Sequence, residues 1–292
     1  MTEFLQLTVS GLGKGAVYAL LALGFVIIFK ATDVVNFAHG SLVLLGGYVV
    51  IATKDILGYA GAAAVGIAAA GLGALLVERL LISQSKLADP ISLVLLTIGV
   101  DVIITEEIIR RLGVTAPFLG GPLEGAPLRL GNIVVFRPQL IALIVGVVLI
   151  TAFFLAFRYT GWGVAMRAQA ENREATALMG IRSSWVTGSA WLVAGLLAGV
   201  AVLFIATQDF SGAGLGRGTH AIALAAFPAA IIGGLDSTGG AVLGGVIVGL
   251  TEAYTAGYIS FDFSESAIYL VMLLVLVARP VGLFGTRELS RV

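Results

Sequence analysis

Long uncharged apolar runs alternate with short polar breaks along the whole chain. They stand at Gly15–Phe29, Val34–Thr53, Ile56–Val77, Pro138–Phe157, Ser183–Gln208 and Gly218–Leu235. Two more are interrupted by a single acid each, Pro90–Thr105 by Asp101 and Ser237–Ser260 by Glu252, and a shorter final run covers Ser266–Ala278. About 20 predominantly apolar residues cross a bilayer as a helix. The pattern therefore predicts an all-α polytopic membrane protein, a bundle of eight or nine transmembrane helices, some broken or re-entrant. Gly46-Gly47, Pro228 and Gly233-Gly234 are the expected break points.

Two polar segments separate these runs. Arg110–Pro138 is rich in Pro and Gly, and its end, Leu128–Phe136, alternates loosely enough to predict a short hairpin. In Arg158–Arg182, good helix formers fill Val164–Met179, with Gly161 and Gly163 before them and Gly180 after. That predicts one short polar helix on the membrane surface. The opening stretch, MTEFLQLTVSGLGKG, lacks the basic region of a cleaved signal, so the first span is expected to remain and to direct insertion.

Composition narrows the class. Of 292 residues, 59% are hydrophobic and 12% charged, with mean hydropathy +1.04. Soluble domains carry roughly 25% charged residues, so a soluble enzyme is excluded. Seventeen basic residues balance seventeen acidic ones, which removes the electrostatic case for a nucleic-acid partner and leaves membrane lipid as the expected surroundings. No cysteine is present, so neither a disulfide framework nor a thiol nucleophile is available. With Arg158–Arg182 inside, the loops hold ten Lys or Arg inside against six outside, Lys14 lying in or beside the first span. Nine spans then put the N-terminal end outside and the C-terminal end inside.

The usual catalytic and nucleotide motifs are missing. There is no GxxxxGK[ST], HExxH or GxSxG, and two histidines, His39 and His220, are too few for a His-rich metal site. Gly11-x-Gly13-x-x-Ala16 sits at a membrane entry with no strand before it and is a packing feature. The pairs Gly11/Gly15, Gly195/Gly199, Gly240/Gly244 and Gly245/Gly249 have GxxxG spacing, which lets helix backbones approach.

Polar residues inside the apolar runs are costly in lipid and so point to function. Asn36-Phe37-Ala38-His39-Gly40-Ser41 opens the second run. It is either an interfacial cap made by Asn36 or Ser41, or a polar pathway near a helix break. Asp101 and Glu252 are either pathway residues or interhelical hydrogen-bond partners. Glu106/Arg110 and Glu107/Arg111 have the favourable i,i+4 order and are expected to stabilise a helix end. Arg167, Glu171, Arg173 and Glu174 are either a docking face for a soluble partner or an ordinary solvated one.

Asn36-Phe37-Ala38-His39-Gly40 followed by Leu45-Gly46-Gly47-Tyr48 resembles a hallmark of the permease subunits of branched-chain amino acid ATP-binding-cassette (ABC) importers, and the chain is more like the shorter of their two permeases. Gly161–Ala168, then Glu171-Asn172, Ala175 and Leu178–Ile181, resembles that family's cytoplasmic loop, and Ile231–Ser237 through Gly249 is a weaker third match. Gly47 departs from an alanine common in the family.

The resemblance implies one ABC-importer transmembrane domain over residues 1–292, with an extracytoplasmic loop at about 110–138 and a cytoplasmic coupling loop at about 158–182. It implies a non-catalytic subunit that binds no cofactor, with ATP used by two partner ATP-binding subunits. It further implies a second related permease or a second copy of the same chain, an extracytoplasmic amino-acid-binding protein, and a multi-pass location in the bacterial inner membrane. By motif, Asn36, Phe37, His39, Gly40 and Ser41 form the pathway or gate, with Asp101 and Glu252 as further intramembrane polar sites. Gly163, Arg167, Ala168, Glu171, Asn172, Ala175 and Gly180 couple to the ATPase. The competing expectation is a gradient-driven secondary transporter or channel using Asp101, His39 and Glu252 as a relay. Urea, short amides or other neutral amino acids are alternative substrates.

Overall fold

The computed structural model describes residues 2–85, 89–113, 116–130 and 133–286. Lys86, Arg287 and Arg291, three of the ten basic residues counted as inside, and Gly131 and Asn132 of the expected hairpin lie outside them.

Most of the described residues are helical. Helix α1 (Thr2–Thr32) is followed by α2 (His39–Val77), which continues as a π-helical turn over Glu78–Ile82. Then come α3 (Pro90–Leu112), a hairpin of β1 (Leu128–Leu130) and β2 (Ile133–Val135), and α4 (Arg137–Tyr159). Two short helices, α5 (Gly161–Glu171) and α6 (Arg173–Leu178), lead into α7 (Ser183–Ile205). The last stretch holds α8 (Gln208–Ser211), α9 (Arg217–Leu224), α10 (Ala226–Gly233), α11 (Thr238–Tyr258) and α12 (Ser264–Ala278). Leu128 faces Val135 in the antiparallel hairpin, as the alternation predicts.

Among the described residues, five helices are long and apolar enough to cross a membrane: α1, α2 with its π turn, α4, α7 and α11. The 44 residues of α2 and its π turn are two antiparallel arms rather than one straight span. Gly58 leaves helical geometry at φ +67°, and the arms on either side lie against each other. A Cβ on Gly46 would meet the Gly66 carbonyl at 3.2 Å, and one on Gly73 would meet Leu45 at 2.7 Å. The runs Val34–Thr53 and Ile56–Val77 are thus separate arms of one hairpin. With α3, the α9–α10 pair and α12, the described residues make nine segments of alternating direction, within the expected range.

The expected breaks divide. Gly233-Gly234 ends α10, with Gly234 at φ +106°, and the α9–α10 break at Ala225 sets Pro228 in the first turn of α10, where its missing N–H costs nothing. Gly46-Gly47 does not break α2, and here the expectation is corrected. Both glycines are spacers, Gly46 against Gly66 and Gly199, Gly47 against Leu215 and Val202.

Helix α1 is the centre of the bundle, nearly all buried from Gly15 to Ile28. Its Gly11 and Gly15 interlock with Gly245 and Gly249 of the antiparallel α11, where a Cβ on Gly249 would strike the Gly15 backbone nitrogen. Gly195 and Gly199 of α7 do the same against Ala70 and Ile67 of α2, and Gly240 and Gly244 of α11 against Gly233 and Ala229 of α10. All four small-residue pairs therefore serve close helix packing. Gly13 against Gln139 and Ala16 against Gly146 make α1 parallel to α4. The start of α1 is consequently at the hairpin end of the bundle, and its finish is at the α5–α6 end.

Candidate functional site

The Asn36–Ser41 segment returns the chain from the end of α1 into the bundle. Helix α1 stops where Asp33 adopts left-handed geometry at φ +54°, and the chain re-enters beside Gly24, nine residues back from Asp33. Each residue of the motif then has a physical assignment. The Asn36 carboxamide oxygen accepts from the Ala38 N–H at 3.0 Å, closing a local turn. Phe37 lies against Phe227 with ring centroids 5.3 Å apart, and its N–H donates to Thr97 Oγ1 at 3.1 Å. His39 packs 4.6 Å from the Phe25 ring, in a space left by Gly24, whose Cβ would stand 2.7 Å from the imidazole. Gly40 admits the ring of His220, which a Cβ would meet at 2.9 Å.

Ser41 joins this segment to Asp101. Its N–H donates to Asp101 Oδ1 at 3.1 Å, and its hydroxyl donates to the Ala38 carbonyl at 2.9 Å. Neither Asn36 nor Ser41 supplies the side-chain cap of α2. The capping group is Asp101 of α3, a carboxylate at a helix N-terminus, where the helix dipole favours negative charge. His220 Nε2 of α9 lies 3.0 Å from Asp101 Oδ2. Four elements thus converge: the α2 entry, α3, α9 and the Phe227 turn of α10. Both ring nitrogens of His39 and the Asn36 amide nitrogen are buried with no partner among the described residues, an exception to the rule that buried polar groups are paired.

Glu252 does not join this cluster. It accepts from Lys14 Nζ and from the Tyr18 hydroxyl, each at 2.6 Å, and so closes an ion pair across the α1–α11 seam. Of the two readings open for Glu252, the interhelical partner is the one this geometry displays. For Asp101, its partners are interhelical and they include the entry segment itself. The expected Glu106/Arg110 pair is corrected as well: Glu107 takes both Arg110 and Arg111, while Glu106 reaches across to Arg217 at 2.9 Å. Glu106 faces α9, and its neighbour Glu107 faces the two arginines one turn on.

At the other end of the bundle, the single surface helix expected over Val164–Met179 is two. Asn172 breaks it by leaving helical geometry and accepting from the Ala175 N–H at 2.9 Å, a side-chain cap for α6. Thr160 caps α5 in the same way through Gly163. Gly180, at φ +82°, closes α6: its N–H bonds Ala177 and that of Ile181 bonds Thr176, the paired hydrogen bonds of a Schellman end.

Gly163 is buried against Phe157 and Ala168 is half-buried, so both are packing residues within the segment. Arg167 is exposed but held, over the Phe157 ring at 5.2 Å and bonded to the Phe157 carbonyl. Glu171, Asn172, Ala175 and Gly180 are exposed. Beside them stand Leu178 and Met179, 88% and 83% exposed. These large apolar side chains belong to the stretch that carries the family resemblance but are not among the expected coupling residues, although their position just before Gly180 marks them as the tip.

The fold and these clusters define a multi-pass helical membrane protein whose polar groups are gathered within the bundle and at both of its ends. Residues 7–278 match the family described as "Branched-chain amino acid transport system / permease component", and the chain belongs to that family. Similar proteins include the high-affinity branched-chain amino acid transport system permease protein BraD of Pseudomonas aeruginosa, 25% identical, the match covering 99% of this chain and 98% of that one. LivH of Escherichia coli K12, which carries the same description, is 26% identical with the same coverage. The probable branched-chain amino acid transport permease protein LivH of Methanocaldococcus jannaschii is 26% identical over 91% of this chain and 88% of its own. These names agree with a transport permease and not with a gradient-driven channel.

Proposed function

We propose that this chain is one of two permease subunits of an ABC importer for branched-chain amino acids, seated in the bacterial inner membrane. The observation that carries the reading is that the family match spans nearly the whole chain, including both the Asn36–Ser41 entry segment and the α5–α6 segment. The first is a buried polar return set among aromatic rings, suited to a pathway that passes an amino acid with an apolar side chain. The second offers an exposed surface, with Leu178 and Met179 at its tip, that a soluble subunit would cover.

In this scheme two ATP-binding subunits close on ATP and move α5–α6, and this chain itself binds no cofactor. Residues 158–182 face the cytoplasm and 110–138 face outward, where an amino-acid-binding protein delivers substrate. A second, related permease completes the pathway. Asn36, Phe37, His39, Gly40 and Ser41, with Asp101 behind them, form the gate. Glu171, Asn172, Ala175 and Gly180 lie on the ATPase-facing surface, while Gly163, Arg167 and Ala168 hold its shape.

The test is purification of the tagged chain from its native membrane, followed by uptake assays in vesicles with the cognate binding protein. ATPase subunits that co-purify and ATP-dependent leucine or valine uptake are expected. Urea uptake by the same complex would change the substrate and keep the mechanism. A chain that purifies alone and transports on an ion gradient would overturn the reading.

A further inference from the structure

The end of α1 is gripped by the surface segment. The last four carbonyls of a helix have no partner within it. Here the Ala31 carbonyl accepts two side-chain hydrogen bonds, from Gln169 Nε2 of α5 at 2.8 Å and from Arg173 Nη2 of α6 at 2.7 Å. The same Arg173 nitrogen stands 3.4 Å from Asp33 Oδ2. A guanidinium at a helix C-terminus is electrostatically favourable, and a buried hydrogen bond costs most when one partner is withdrawn.

The grip falls on a strained turn. Asp33, at φ +54°, is the one non-glycine with positive φ among the described residues. Asp tolerates that geometry better than most residues, but it persists only where the surroundings impose it. Three residues later the entry segment begins, and it is tied to its neighbours at two points. Phe37 bonds Thr97, Ser41 bonds Asp101, and Asp101 meets His220. A displacement of α5–α6 must therefore either break the bonds to Ala31 or carry the Asp33 turn with it. Gln169 is buried and its Oε1 has no partner, so half of its hydrogen-bonding capacity is free for a second arrangement of the joint.

We propose that Gln169 and Arg173 are positioning residues that transmit movement of the α5–α6 segment to the Asn36–Ser41 gate through the Ala31 carbonyl and the Asp33 turn. This rests on the importer reading above, and it adds a mechanical link that neither surface docking nor the gate supplies alone.

The experiment uses the complete importer in proteoliposomes, with ATPase subunits, second permease and binding protein, and measures leucine uptake and ATP hydrolysis in parallel. In Gln169→Leu and Arg173→Ala, ATPase co-purification and ATP hydrolysis persist, while leucine taken up per ATP falls about tenfold, the scale of a typical coupling energy. Asp33→Gly, which relieves the turn, lowers the same ratio in the same direction. An unchanged ratio in Gln169→Leu and Arg173→Ala overturns the proposal, and so does loss of ATPase co-purification, which would make the two residues docking contacts only. If those variants fail to accumulate, Asp33→Gly decides, and an unchanged ratio there overturns it. A wild-type chain that recruits no ATPase would instead overturn the importer reading.

Discussion

Helix α1 has two unlike neighbours. Against α11 its glycines allow near backbone contact, with Gly11 and Gly15 set into Gly245 and Gly249. Against the chain that leaves its own C-terminal end, it meets a non-helical return held by single hydrogen bonds and leaving buried nitrogens unpaired on Asn36 and His39. Packing of the first kind is intolerant of change because no side chain can yield. The second kind is inexpensive to rearrange because few bonds define it. The same helix thus serves as a tightly packed spine on one side and as the anchor of a sparsely bonded segment on the other.

The sharpest way to break this contrast is Gly249→Leu. The added side chain would be driven into the Gly15 backbone, and overpacking of this severity is expected to cost about 3 kcal/mol or more. The purified chain should show a large drop in thermal midpoint and in yield from the membrane, and a normal melt would mean that the seam yields.

Asp101→Ala comes next, since it strands His220 and the Ser41 N–H. A stability loss of about 1–3 kcal/mol is expected, with a proportionally larger loss of uptake. Stability loss without any change in uptake would make the carboxylate a cap alone.

His39→Ala removes no side-chain hydrogen bond among the described residues, so only a packing cost of about 2 kcal/mol is expected. Uptake should fall while the ATPase stays attached, and release of the ATPase would show the ring to be an assembly element. The smallest effect belongs to Leu274→Ala on the exposed face of α12. It is expected to stay within about 0.5 kcal/mol, and a larger loss would reveal a protein partner on that face.

Much of the fold was legible because lipid writes its demand directly into composition. An uncharged run of sufficient length has few alternatives to a helix, and the polar Lys54-Asp55 step between two such runs anticipated the bend at Gly58. Gly46-Gly47 was misread because a glycine pair permits both a break and a close approach, and only the neighbouring helix decides between them. The split at Asn172 carried a local signal, an Asn three residues before the N–H it caps, which the surrounding helix formers obscured.

In the candidate site, the Asn36–Ser41 motif and Asp101 could be named separately. Their meeting could not be read, nor could the arrival of His220 from 119 residues beyond Asp101. Glu106 escaped its expected partner for a related reason: helix spacing shows which side chains can pair within a helix, while a neighbouring helix offers Arg217 from outside it.

The bend at Gly58 also sets the parity of the chain. With both arms of α2 counted, the described residues make an odd number of segments of alternating direction, and Phe4 and Thr286 lie at opposite ends of the bundle. Were α2 a single straight rod, every later loop would exchange sides. The hairpin of β1 and β2 would then lie at the end of the bundle where Leu178 and Met179 stand. One backbone conformation, open only to a residue without a side chain or to one that bears the strain, thereby decides at which end of the bundle each later surface lies.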